Sequence, residues 1–279
     1  MTLPASDKIS GTTTIPNSET KTDYALVSGG RASSVAAHIA IEHGPAKVAV
    51  HIDTGTGLDA NREYVEKLAD TFGWTLITIR TREDYEDTVS EYGFPGPGQH
   101  SKMYNLLKRR PLERLKAISE GTVGLWTGVY RAESDRRMGY VDPIVDGDRW
   151  TWYAPMYDWV PEDFETYVDA AGIPESDIWT ELGRSGDCFC GAFATREELV
   201  DLEAAGYGDH ADWLRNLETS VETGDQTEIW AWGSLSEVEQ RGERHRRDVD
   251  QPTLCSGCLP PDDSDEDPSD DSDEVDPDA

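Results

Sequence analysis

The chain is 279 residues long, with 56 acidic against 25 basic side chains, a net charge of −31 and a sequence pI near 4.3. That balance excludes nonspecific capture of nucleic-acid backbones, which draws on clustered cations, although it leaves room for a local basic groove. Nine Trp, eleven Tyr and five Phe supply a core and exclude disorder throughout, and no stretch approaches the ~20 apolar residues a bilayer span needs.

Residues 1–21 lack an apolar signal core and read as a polar, disordered leader. Tyr24 to Val27 is a buried strand, ended by Ser28-Gly29-Gly30. Arg31 to His43 is a helix with Val35, Ile39 and Ala40 on one face and His38 packed beside them. Lys47 to Ile52 is the second strand, Leu58 to Phe72 the second helix and Trp74 to Ile79 the third strand. A weaker helix and the break Gly93-Phe94-Pro95-Gly96-Pro97-Gly98 follow. Ser101 to Ser119 is helical, with Pro111 predicting a kink or a junction of two short helices, and Thr122 to Val129 is the next strand. These elements bound a nucleotide-binding domain at 22–139.

Beyond residue 140 the pattern weakens. Trp150 to Ala154 is a strand; Glu162 to Ala171, Thr195 to Ala205 and His210 to Val221 are helices. Residues 140–260 are expected to form a mostly helical, cysteine-containing extension. Residues 261–279, with eleven carboxylates and no cation, form a disordered acidic tail. Excess carboxylate with only seven Lys resembles adaptation to a high-salt cytoplasm, where salt screens self-repulsion. The chain is therefore expected to be halophilic and cytoplasmic; an ordinary acidic protein is the alternative.

Strands alternating with helices predict an α/β fold with a parallel sheet covered on both faces. Ligands of such sheets bind beyond the carboxyl ends of strands, which selects the loops Ser28–Ser34, Asp53–Gly57 and Gly128–Arg137 as one mouth. In the first loop, glycines let backbone N–H groups approach an anion and the helix N-terminus adds partial positive charge. Cations otherwise gather between residues 102 and 137, among them Lys108, Arg109, Arg131 and Arg136.

Ser28-Gly29-Gly30-Arg31-Ala32-Ser33 is followed by Asp53-Thr54-Gly55, Lys108-Arg109-Arg110-Pro111-Leu112, Thr127-Gly128-Val129-Tyr130-Arg131-Ala132-Glu133-Ser134, Pro155 to Asp163, and Gly186-Asp187-Cys188-Phe189-Cys190. Over residues 23–195 this series resembles the phosphoadenosine phosphosulfate (PAPS) reductase family of PP-loop enzymes, which carry S-G-G-K-D-S, D-T-G, K-x-x-P-L, T-G-x-R-x-x-E-S, P-x-x-x-W-x-x-E-D and G-C-x-x-C in that order. The resemblance implies a Rossmann-like PP-loop sheet of five parallel strands flanked by helices. It places Ser28, Gly29, Gly30, Arg31, Ser33 and Gly128 at the anion, Ile52 and Asp53 beside the nucleotide, and Lys108, Arg109, Arg131 and Arg136 as its cationic partners. Two departures stand in the first loop. Arg31 keeps the charge of the usual Lys. Ala32 replaces the Asp that helps ATP-cleaving relatives hold magnesium, which weakens the case for Mg²⁺ and ATP adenylation.

The cysteines are Cys188, Cys190, Cys255 and Cys258. Close pairs bind metal or do redox work, and four thiolates suffice for a [4Fe-4S] cluster or, less favoured here, zinc. The Cys-Cys pair that cluster-bearing adenylylsulfate reductases place on the basic helix is Met103-Tyr104 here, and the E-C-G-L-H ending of cluster-free reductases is missing. Two accounts exclude each other: all four thiolates hold metal, or Cys255 or Cys258 is the catalytic nucleophile and its partner resolves the intermediate.

The resemblance implies reductive cleavage of an activated sulfate, PAPS or adenosine phosphosulfate (APS), with a thioredoxin-like reductant and no membrane partner. One alternative is an iron–sulfur-dependent sulfurtransferase that adenylates a nucleic acid, leading to thiolation or phosphorothioation. Another is a nucleotide-binding module without catalysis.

Overall fold

The computed structural model describes residues 2–16, 20, 22–95, 100–133, 142–147, 150–192 and 196–220. Six strands form one sheet: β1 (Thr22–Leu26), β2 (Val48–Asp53), β3 (Thr75–Arg80), β4 (Val123–Trp126), β5 (Ile144–Asp146) and β6 (Thr151–Tyr153). Their order is β3-β2-β1-β4-β6-β5, with every pairing parallel except β5 against β6. The expected five parallel strands are therefore joined by a short antiparallel edge strand. Ile144-Val145-Asp146 is silent in the sequence because three residues are too few to display a period. β6 and β5 also place residues beyond 139 in the same sheet as β1–β4, so the sheet crosses the expected domain boundary.

The central strands β1, β2 and β4 carry buried runs that cover both faces, as crossover helices require, whereas β3 and β5 at the edges are exposed or half-buried. In β1 and the residue after it, Ala25 and Val27 face one apolar cluster while Tyr24 and Leu26 face another. The first cluster lies beneath α1 (Arg31–His38) and α2 (Asp59–Phe72) and takes in Trp126, Tyr153, Trp159, Phe164 and Tyr167. The second lies beneath α5 (Arg110–Ile118) through Leu112 and Leu115. His38 is buried against Tyr167, 3.0 Å from its hydroxyl, as packing predicted.

Two helical segments pass through a π turn. α1 does not run unbroken to His43 but widens into a π turn over Ile39–His43. α4 (His100–Tyr104) likewise passes through a π turn, Asn105–Arg109, into α5. In the second case the Arg110 N–H bonds the Asn105 carbonyl, one turn ahead of Pro111. Proline cannot donate and its ring crowds the preceding turn; the wider turn meets that demand, so the expected junction of two short helices takes the form of a π turn between α4 and α5.

The leader is not disordered over residues 2–16. Leu3, Ile9 and Ile15 pack on the first cluster, the Trp159 indole N–H donates to Thr13 Oγ1 (3.2 Å), and the Thr14 N–H donates to the Pro155 carbonyl. Asp163, in the first turn of α6 (Pro161–Ala171), accepts from the backbone N–H groups of Ser10, Gly11 and Val160. Three scattered apolar residues in a polar segment have no period, so only the finished surface shows where they go.

The remaining helices, α3 (Tyr85–Tyr92), α7 (Asp177–Leu182), α8 (Arg196–Ala204) and α9 (Gly208–Ser220), enclose a third apolar cluster together with the Cys188–Cys190 turn. The acidic tail lies outside the described residues.

Candidate active site

The chain leaves β1 toward β2 and β3 on one side, then returns to place β4 on the other. The carboxyl ends of β1 and β4 are thus the switch point where an open α/β sheet leaves a crevice. A cavity of about 230 Å³ opens there, lined from the β1 loop by Ser28, Gly30, Arg31, Ala32 and Ser33, and from the β4 loop by Gly128 and Tyr130. Pro161 and Phe164 of α6, Trp179 of α7, and Gly183, Arg184 and Ser185 complete the wall.

The β1 loop is held in shape from several sides. The Ser33 hydroxyl accepts from the Ser28 N–H (3.2 Å), donates to the Gly30 carbonyl (2.9 Å) and lies 3.0 Å from the Ser28 hydroxyl. Asn61 Nδ2 donates to the Ser28 carbonyl (2.9 Å), and the Trp179 indole N–H donates to that of Gly29 (2.6 Å). With these carbonyls engaged, the loop turns the N-terminus of α1 toward the cavity, an arrangement suited to an oxyanion. Gly29 has φ +89°, and a Cβ there would meet Asn61 Oδ1 at 2.1 Å; one at Gly128 would lie 2.5 Å from the Ser33 nitrogen. Both glycines are required by close approach.

Two arginines are among the lining residues. Arg31 reaches Glu165 (3.2 Å) and lies 5.8 Å from the Trp179 ring centre. Arg184 pairs with Glu198, donates to the Cys188 carbonyl (3.2 Å) and sits 4.5 Å above the Phe189 ring. No carboxylate among the described residues lines the cavity. Ala32 contributes no oxygen, and the Asp53 carboxylate is turned to the Gly55 N–H (3.0 Å), with Arg62 at 3.6 Å and Arg80 at 3.9 Å. The set does not fit Mg²⁺, which proteins hold through one or two carboxylates.

The structure brings Ser28, Gly30, Arg31, Ser33 and Gly128 together, with Gly29 behind them. It does not bring Lys108 there as an exposed anion ligand. Lys108 is buried and paired with Asp187 at 3.0 Å, and the other Asp187 oxygen accepts from Ser185 at 2.5 Å. Spacing could not show that a carboxylate 79 positions away would neutralise that lysine. Arg109 reaches Glu113 and Asn105; Ile52 and Asp53 stay on β2 outside the cavity wall; Arg131 is exposed, with its N–H on the Tyr157 carbonyl. Arg136, Cys255 and Cys258 lie outside the described residues.

The loop after β2 meets the cysteine turn rather than the cavity. Thr54 Oγ1 donates to the Asp187 carbonyl (2.7 Å), the Thr56 hydroxyl to Cys188 Sγ (3.6 Å), and the Phe189 N–H to Thr56. The Tyr85 hydroxyl donates to the Cys190 carbonyl. His51, beneath this junction, has its pKa lowered chiefly by burial, and its Nδ1 is 2.8 Å from the Val27 carbonyl. Cys188 and Cys190 are buried thiols in the third apolar cluster. No group of three or more His, Cys, Asp or Glu among the described residues is arranged for a metal. These residues supply two thiols, short of the four that a cluster or structural zinc site takes.

Sequence reasoning missed Trp179, Arg184 and Ser185. The last two stand just ahead of Gly186-Asp187-Cys188, outside the cysteine motif that marks this turn in the sequence.

The sequence model of the phosphoadenosine phosphosulfate reductase domain matches residues 24–189, more than half of the chain. The chain belongs to the PAPS reductase family. Adenosine 5'-phosphosulfate reductase of Streptomyces coelicolor is 29% identical over 195 residues, covering 67% of this chain and 77% of that protein. Phosphoadenosine 5'-phosphosulfate reductase of Xanthomonas campestris pv. campestris is 29% identical over 161 residues, covering 54% of this chain and 64% of that protein. The chain thus spans a little under two thirds of the Xanthomonas relative. Among solved structures, PAPS reductase from Candida auris in a phosphate complex aligns at TM-score 0.46 and 18% identity, over 63% of this chain and 82% of that one. No helix among the described residues is long and apolar enough to cross a membrane.

Proposed function

We propose that this PAPS reductase family member binds an activated sulfate, PAPS or APS, in the β1–β4 cavity and reduces its sulfo group to sulfite. The carrying observation is the cavity's composition: backbone N–H groups and serine hydroxyls at a helix N-terminus, two bordering arginines and no carboxylate. Arginine presents a planar donor fork to sulfate or phosphate oxygens, and the phosphosulfate anhydride is already activated, so no carboxylate for Mg²⁺ is needed. The aromatic side chains Tyr130, Phe164 and Trp179 supply the apolar part of the wall.

The nucleophile is a thiolate from the Cys255/Cys258 pair. It attacks sulfur, forming an S–S bond as the S–O bond to the adenosine phosphate breaks and that phosphate leaves with the electron pair. The second thiol of the pair attacks the resulting thiosulfonate and releases sulfite, leaving a disulfide that a dithiol of the thioredoxin class reduces. Arginines near such a thiol favour the reactive thiolate.

The test uses the full chain, purified anaerobically, with PAPS and APS offered separately beside a dithiol reductant. Sulfite release from either, lost in Cys255→Ser, is expected. Tight nucleotide binding with no sulfite overturns the reading, and pyrophosphate release from ATP that depends on added RNA or DNA replaces it with the sulfurtransferase.

A further inference from the structure

Arg184 stands where the cavity, the cysteine turn and α8 meet. It lines the cavity opposite the β1 loop, its backbone precedes Ser185, and its side chain is held by Glu198 and by the Cys188 carbonyl. Its side chain is only 12% exposed and that of Glu198 13%, so this ion pair is largely desolvated. A structural pair of that kind has no need to border an oxyanion cavity. Here Arg184 is a residue of the wall, its guanidinium 4.5 Å from the Phe189 ring centre, in a segment tied down by Ser185, Asp187 and Lys108.

We infer that Arg184 is an anion-binding residue for the sulfate or phosphate groups of the ligand, with Glu198 as a resident carboxylate that the ligand displaces. The inference rests on the β1–β4 cavity being the nucleotide site and names a contact within it. The chemistry is an exchange of one oxyanion for another on a planar donor with five N–H groups. A carboxylate and a phosphosulfate compete for the same edge, so the empty site keeps its buried charge satisfied and the filled site replaces Glu198 with a dianionic group. Because Arg184 also bonds the Cys188 carbonyl, the exchange reaches the cysteine turn directly, and occupancy of the cavity is coupled to the backbone position of Cys188.

The experiment measures binding of PAPS, adenosine 3',5'-bisphosphate and inorganic phosphate by calorimetry to the wild type, Arg184→Gln, Arg184→Lys and Glu198→Gln, each checked by thermal unfolding. Arg184 Nε–H is followed by nitrogen-edited NMR during the phosphate titration. Arg184→Gln should weaken the nucleotides about tenfold or more, the order expected for loss of a charge-assisted contact, and Arg184→Lys should restore part of that. Glu198→Gln should leave affinity unchanged or raise it about two- to fivefold while lowering Tm, because it removes the competitor. A purely structural pair gives the opposite pattern: lower Tm in both variants and unchanged affinity per folded molecule, which overturns the inference. Nucleotide binding that ignores Arg184→Gln removes the inference and leaves the site intact. Phosphate binding that shifts the Arg184 signal, without binding of any adenylate, keeps the inference and removes the nucleotide reading. No binding of phosphate or nucleotide by the wild type removes both.

Discussion

The β1–β4 cavity rim and the cysteine turn are built by opposite means, although they touch. The rim is backbone: Gly29, Gly30 and Gly128 let two loops approach, and serine hydroxyls and amide groups do the shaping. The turn is side chains: Lys108 pairs with Asp187 inside the protein, and Thr54, Thr56, Tyr85 and Arg184 tie its carbonyls and thiols to distant elements. A backbone site fails when a single Cβ is added. A site made from buried polar side chains fails when one partner of a pair is removed.

The largest effect should therefore come from Lys108→Met, which leaves Asp187 buried and charged. Breaking one side of such a pair costs about 3–5 kcal/mol, read by chemical denaturation, and Lys108→Met combined with Asp187→Leu should recover most of it. Equal stability of single and double variants would mean that the pair does not organise the turn. Gly128→Ala should cost less in stability, about 1–3 kcal/mol, yet abolish detectable nucleotide binding, because its Cβ would lie 2.5 Å from the Ser33 nitrogen. Normal affinity in that variant would detach the rim from the ligand.

One histidine in each half, His38 buried and His210 half-buried, gives a test by pH. His38 under the sheet and His210 beside the turn both have pKa values lowered to about 4, in each case chiefly by burial. The unfolded chain protonates them near 6.5 while the folded chain resists until about 4. Their contribution is therefore complete above pH 6.5 and is lost as pH falls from there toward 4, on the order of 2 kcal/mol each. His38→Gln and His210→Gln should each flatten stability against pH in that window; an unaltered slope would show that the histidine in question protonates without cost.

Asp163→Asn should cost about 1–2 kcal/mol, because the carboxylate holds the leader through Ser10 and Gly11. Burial alone would raise the Asp163 pKa, but those bonds and the one from Val160 together hold it below the usual range. Wild-type stability supplied by this group is therefore lost only at strongly acid pH. Faster proteolysis of the leader in the variant is the accompanying readout. The smallest effect is expected from Arg131→Ala, since Arg131 is exposed and outside the cavity wall: about a threefold loss of nucleotide affinity, typical of a screened surface charge. A hundredfold loss would show that it enters the cavity when ligand binds.

The half built from backbone was the more legible one. Val27-Ser28-Gly29-Gly30 announces a strand, a turn and a helix start within a few residues, because glycine placement and apolar alternation are local properties. Gly128 and its motif stood out for the same reason. Lys108 was legible as a cation but not as a spent one, and Arg184 was passed over, since both depend on carboxylates far along the chain. The leader was misread because Leu3, Ile9 and Ile15 bury one at a time on a surface that folding must first create.

The sequence by itself determined the α/β class, the glycine turn at the end of β1 and membership of the PAPS reductase family, because strand period, turn glycines and motif order are written within short windows. Only the tertiary structure decided which cations border the cavity and which are neutralised. Charge pairing depends on distance in space, and Lys108 with Asp187, or Arg184 with Glu198, are neighbours only once the cysteine turn has closed against the sheet.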